Sequence, residues 1–183
     1  MKTLQVFALA LIAMLALSAG GVARAASASE ISGNATATLN TLYGQSTAAR
    51  ALGVKARGIL VFSRITKAGF IIGGQGGDGA LLVGGRTAGY YRSVAASYGL
   101  QAGVQTFSYV LFLMTPSAVN YLKTSNGWEL GTGPSFVVVD KGMAKSMSTT
   151  TLKKDVYAFI FGQKGLMAGL GLQGTKITQI HPN

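Results

Sequence analysis

The sequence predicts an α+β domain: a mostly antiparallel, strongly bent sheet or partial barrel, with N-terminal helices and one inserted helix. Three observations predict it. Residues 58–114 hold short apolar or alternating runs separated by glycine, aspartate or basic residues, the pattern of paired strands. The gaps between those runs are too short for the crossovers that parallel strands need. The stretches on either side carry helical spacing and capping residues.

The elements follow in order. Lys2 precedes an uncharged, mostly apolar run from Leu4 to Leu17, and Ala23-Arg24-Ala25 supplies small residues for cleavage. Residues 1–25 are therefore expected to be a signal peptide, leaving residues 26–183 as a single domain of 158 residues. Ala26 to Gly33 is small and polar and reads as a frayed leader. Asn34 to Leu52 has helical spacing at Ala35, Leu39 and Leu42, with Gly44 as a stop. A second short helix is expected over Thr47 to Arg57, with Ala49, Leu52 and Ala56 on one face and Arg50 and Arg57 together on another.

Strands are expected at 59–62, 69–72, 80–83, 90–95 and 101–114. Thr115-Pro116 starts a helix, since threonine caps and proline suits the first turn; Ala118, Val119 and Leu122 supply its apolar face. It ends near Ser125-Asn126-Gly127. Phe136 to Val139 and Val156 to Phe161 read as strands, and one or two more are expected in Leu166 to Ile180.

The chain is poor in catalytic groups. It has no cysteine, one histidine and five acidic residues, which are far apart in sequence, against 16 Lys and Arg. An activated nucleophile, an acid/base pair or a metal site is hard to build from that inventory. The expectation is a protein that is not an enzyme and takes no cofactor. Gly74-Gln-Gly76-Gly77-Asp-Gly79 matches a dinucleotide-binding spacing. That fingerprint needs a following helix, and Ala80-Leu-Leu-Val83 reads as strand, so a hairpin turn is expected instead. Most aromatic residues sit inside apolar runs and are expected in the core; Trp128 follows a turn and is expected to be partly exposed.

Charge is the remaining signal. Without Lys2 and Arg24 the chain keeps 14 basic and five acidic residues, a net +9. Two clusters stand out. Arg50, Lys55 and Arg57 lie in an acid-free stretch, and Lys145, Lys153 and Lys154 lie in another basic region. Such clusters favour phosphate-bearing surfaces.

Several strings together resemble the SYLF domain. They are Ala56-Arg-Gly-Ile-Leu-Val-Phe62, Lys67-Ala-Gly-Phe-Ile-Ile-Gly-Gly74, Ser97-Tyr-Gly-Leu-Gln-Ala-Gly103, Phe136-Val-Val-Val-Asp140 and Tyr157-Ala-Phe-Ile-Phe-Gly-Gln-Lys-Gly-Leu-Met-Ala-Gly-Leu-Gly-Leu-Gln-Gly174. The resemblance covers roughly residues 45 to 180. Eukaryotic members bind phosphoinositides and a yeast branch regulates actin, so the resemblance implies anionic-lipid binding. Lacking an added SH3 or FYVE domain, the chain resembles the stand-alone bacterial exported members.

The combined expectation is a periplasmic or secreted protein whose partner is an anionic phospholipid or membrane surface. The six basic residues above are its candidate lipid contacts. Nucleic acid is not expected as a partner, and actin is not expected in that compartment. The alternative is a structural or assembly protein of the cell envelope. The sequence leaves the oligomeric state open.

Overall fold

The computed structural model describes residues 25–139, 153–165, 172 and 174–183. The expected signal peptide and Lys145 lie outside these residues. Helix α1 spans Ala28–Gln45. The Ser27 hydroxyl accepts from the Glu30 amide at 3.2 Å, and the Glu30 carboxylate accepts from the Ser27 amide at 2.8 Å. This reciprocal box satisfies two amides that a helix start leaves open. The Ala28 amide also donates to the Asn183 carbonyl. The segment expected to fray is thus the ordered first turn of a helix; the Ser-x-x-Glu signature was the cue. Ile31, Ala35, Leu39 and Leu42 form its buried stripe.

Ser46 closes α1 through its amide, which donates to the Leu42 carbonyl, and opens helix α2 (Thr47–Lys55) through its hydroxyl, which accepts from Ala49. Gly44 therefore does not stop α1; Ser46 does. Helix α2 ends at Lys55 because Ala56 is extended. Arg57 lies beyond it, so Arg50 and Arg57 do not share a helix face.

Two long strands dominate the sheet. β1 runs Gly58–Val83 and β2 runs Arg86–Leu113, joined at Gly84-Gly85. Both turn glycines have positive φ, 57° and 77°, as a two-residue hairpin turn demands. The register holds from Gly58↔Leu113 to Val83↔Arg86, with three shifts. The string Gly74–Gly79 lies within β1 and is not a turn, which corrects the expected set of shorter strands. Gly77 and Gly79 answer to a close approach: a Cβ on either would collide with the Arg64 or the Val61 carbonyl oxygen. The ribbon curls back over itself there.

On its other side β2 pairs antiparallel with β5 (Val156–Gly165) near its end and with β6 (Lys176–Ile180) near its start. β3 (Trp128–Glu129) pairs with β6. β4 (Phe136–Val138) pairs with β5 in parallel, an exception to the antiparallel rule that the sequence reading did not anticipate. The architecture is α+β, and the sheet is mostly antiparallel and curled like a half barrel.

Both faces of the sheet are covered where β1, β2 and β5 meet. Leu60, Phe62, Tyr109, Leu111, Leu113, Val156 and Ala158 point to one core, which helix α3 (Pro116–Thr124) joins through Ala118 and Leu122. The intervening Val61, Val110, Phe112, Tyr157 and Phe159 point to the other core, beneath α1 and α2. Period-two alternation between two apolar sides gives unbroken apolar runs such as Tyr109 to Leu113. Trp128 is fully buried, against expectation. It packs edge-on against Tyr121, and its ring N–H donates to the Thr132 carbonyl at 3.0 Å.

Candidate functional site at one end of the sheet

The last rung across the sheet is Gly58, Leu113, Val156 and Phe136. Just beyond it the backbone continues to pair. The Arg57 amide donates to the Leu113 carbonyl at 2.8 Å, and the Met114 amide donates to the Asp155 carbonyl at 2.8 Å. These bonds bring segments about 100 residues apart in sequence to one edge. Lys55 and Arg57 leave α2 there; Lys153 and Lys154 enter β5 there. All four are exposed. The Lys154 backbone is tied down by its amide, which donates to the Tyr157 hydroxyl at 3.2 Å.

Asp155 is the carboxylate in this group. One of its oxygens accepts from the Ser135 hydroxyl at 2.7 Å and from the Ser135 amide at 2.9 Å; the other accepts from the Thr115 hydroxyl at 3.3 Å. The Ser135 hydroxyl bond, then the Ser135 amide bond, hold this carboxyl below its ordinary range. Its bonding partners are neutral groups that join the start of α3 to β4 and β5. Among the described residues these segments carry four cations and one carboxylate, an excess of three positive charges.

The other two expected contacts fare differently. The Arg50 guanidinium donates to the Tyr43 carbonyl at 2.9 Å. It thereby caps the last turn of α1, where a cation also meets the negative end of the helix dipole. Lys145 lies outside the described residues. Composition did not single out Val54, which is 86% exposed beside Lys55. A bare valine next to cations is a feature that charge counting passes over.

His181 is exposed near the C-terminus. Asp78 is engaged by Arg92 in a two-point ion pair at 2.7 and 2.9 Å. Among the described residues no group of three or more His, Asp or Glu could hold a metal ion. No helix among them is long and apolar enough to cross a membrane.

Comparison with known families adds a finding that geometry alone does not supply. The family model Ysc84, described as "Las17-binding protein actin regulator", matches residues 94–181. The match supports the SYLF resemblance for residues 94–181, just under half of the chain. No curated protein matches the chain. The SYLF match starts within β2 and runs through β6, so it takes in Lys153 and Lys154 but not Arg50, Lys55 or Arg57. It is shorter than the resemblance over residues 45 to 180. The strings at 56–62 and 67–74 precede it, although β1 pairs with the SYLF strand β2 along its length.

Proposed function

We propose that the protein is an exported, peripheral binder of anionic phospholipid surfaces and does no chemistry on them. The observation that carries this reading is the meeting of Lys55, Arg57, Lys153 and Lys154 at one sheet end, beside exposed Val54. Each cation near an anionic membrane contributes about 1 kcal/mol, weakened by salt. The valine adds an apolar contact at the headgroup boundary. Recognition of a phosphoinositide-like headgroup is the finer form of this proposal, and the SYLF family lends it support. The apolar N-terminal run and the Ala23-Arg24-Ala25 site support export. The family description names an actin regulator; an exported chain would not meet actin, so that activity is not carried over.

Flotation with phosphatidylglycerol and phosphatidylcholine vesicles at two salt concentrations tests the reading. Binding is expected to the anionic vesicles and to fall with salt. Equal binding to both lipids, or to neither, would overturn it.

A second reading, a cell-envelope assembly protein, is favoured by Ile72, Val94 and Val104, which are exposed on the far part of the ribbon. It predicts a defined oligomer by light scattering without vesicle binding.

A further inference from the structure

A different part of the molecule holds a second concentration of positive charge, in a cleft instead of on an open edge. Between α1 and the sheet lies a cavity of about 270 Å³ whose lining includes Arg64 from β1 and Lys164 from β5. A neighbouring cavity of about 450 Å³ shares Thr38, Ser63 and Arg64 with it. Arg64 therefore stands where the two meet.

Two irregularities in the sheet build this place. The register between β1 and β2 shifts between Phe62 and Ile65, so Ser63 and Arg64 together oppose Ser108. The register between β2 and β5 shifts between Thr106 and Ser108, and Gly162 in the extra stretch of β5 has a φ of 66°. Bulges bend a strand and re-aim its side chains. Here two of them flank the same two residues of the central strand. The Ser108 hydroxyl donates to the Ser63 carbonyl at 2.7 Å, which pins the first bulge.

The resulting electrostatics are uncompensated. Among the described residues, neither Arg64 nor Lys164 has an ion pair or a side-chain hydrogen bond. No carboxylate lines the smaller cavity. Asp78 lines the larger one, but Arg92 occupies both of its oxygens. The hydroxyls of Thr38, Ser63 and Thr106 also line the smaller cavity, and none makes a side-chain hydrogen bond among the described residues. Two exposed cations and three uncommitted hydroxyls thus line one small space.

We propose that this cleft binds the dianionic phosphate group of a phosphate monoester. A monoester carries close to two negative charges at neutral pH, which matches Arg64 and Lys164. Its oxygens accept from the guanidinium, the ammonium and the hydroxyls. A phosphodiester carries one charge and would leave one cation unbalanced. The site uses none of the four cations at the sheet end, so it does not rest on the membrane reading.

The test is calorimetric titration of the full chain with glycerol 3-phosphate, inorganic phosphate and dimethyl phosphate. The first two are expected to bind, with dimethyl phosphate weaker by about tenfold or more, the effect of losing one charge-assisted contact. Arg64→Gln and Lys164→Gln are each expected to weaken glycerol 3-phosphate by a similar factor while melting like the wild type. If Arg64→Gln melts early, Lys164→Gln, on another strand, decides alone. No binding of phosphate or glycerol 3-phosphate by the wild type overturns the proposal. So does unchanged affinity in a correctly folded Lys164→Gln variant.

Phosphatidic acid vesicles identify the source of the monoester. Parallel loss of vesicle and glycerol 3-phosphate binding in Lys164→Gln points to a lipid headgroup. Loss of glycerol 3-phosphate alone points to a soluble metabolite. Phosphatidylglycerol is a diester, so the membrane reading stands or falls separately from this site.

Discussion

The ends and the middle of the long β1–β2 ribbon are built on opposite plans. At the ends, Gly58–Ile65 with Phe107–Leu113 and Ala80–Leu82 with Tyr91, side chains enter two different apolar cores, and helices cover the sheet. In the middle, around residues 67–76 and 93–105, the polarity is reversed. Lys67 and Gln105 are only 7% and 4% exposed, whereas Ile72 and Val104 are 66% and 61% exposed. Gln105 Oε1 is buried with no hydrogen-bond partner among the described residues. The ends have the features that generate stability, and the middle leaves a buried acceptor unsatisfied, which costs it. A single continuous pair of strands thus leaves the apolar base, forms an extension with buried polar groups, and returns to the base at its turn. The candidate lipid surface stands at the outer edge of the base, where backbone pairing brings the cation-bearing segments together.

The largest predicted effect breaks the base. Phe112 is fully buried between Tyr43 and Phe159, with ring centroids 6.4 and 5.6 Å away. Phe112→Ala is expected to cost about 3–5 kcal/mol in urea unfolding. In the extension the sign should reverse. Gln105→Met removes an unsatisfied buried acceptor and is expected to stabilise by up to about 1–3 kcal/mol. A loss comparable to that of Phe112→Ala would show that base and extension rely equally on their interiors.

A smaller effect is pH-dependent and belongs to the sheet end. The Asp155 carboxyl is held below its ordinary value in the folded state, so its contribution is present above that ordinary value. The contribution fades as pH falls through the folded value. Unfolding of the wild type and Asp155→Asn is therefore expected to differ most near neutral pH and to converge in acid. The smallest effect sharpens the contrast: Val104→Thr, at an exposed strand position, should change stability by no more than about 0.5 kcal/mol.

The base was more legible in the sequence than the extension. The start of α3 was plain from Thr115-Pro116, because the threonine hydroxyl does accept from Ala118 and the proline does occupy the first turn. The apolar run Tyr109 to Leu113 signalled a strand, though not that it is buried on both sides by separate cores. Residues 74–79 misled because Gly77 and Gly79 serve there as room for a crossing backbone, while as a letter glycine reads like a turn. Trp128 looked exposed because its burial depends on α3 and the Thr132 carbonyl, which no local pattern announces. The candidate site was legible as two charge clusters, but not as one place. Only the pairing of Arg57 with Leu113, and of Met114 with Asp155, unites Lys55 and Arg57 with Lys153 and Lys154. Arg50 belonged to the cluster by position, yet its guanidinium is spent on the end of α1.

That union is best tested by flotation with phosphatidylglycerol vesicles at low salt, comparing Lys55→Gln/Arg57→Gln with Lys153→Gln/Lys154→Gln. Each pair should weaken binding by about thirtyfold, the value of two cations at about 1 kcal/mol each. Wild-type binding that survives intact in either pair would contradict a shared cationic surface at this end of the sheet.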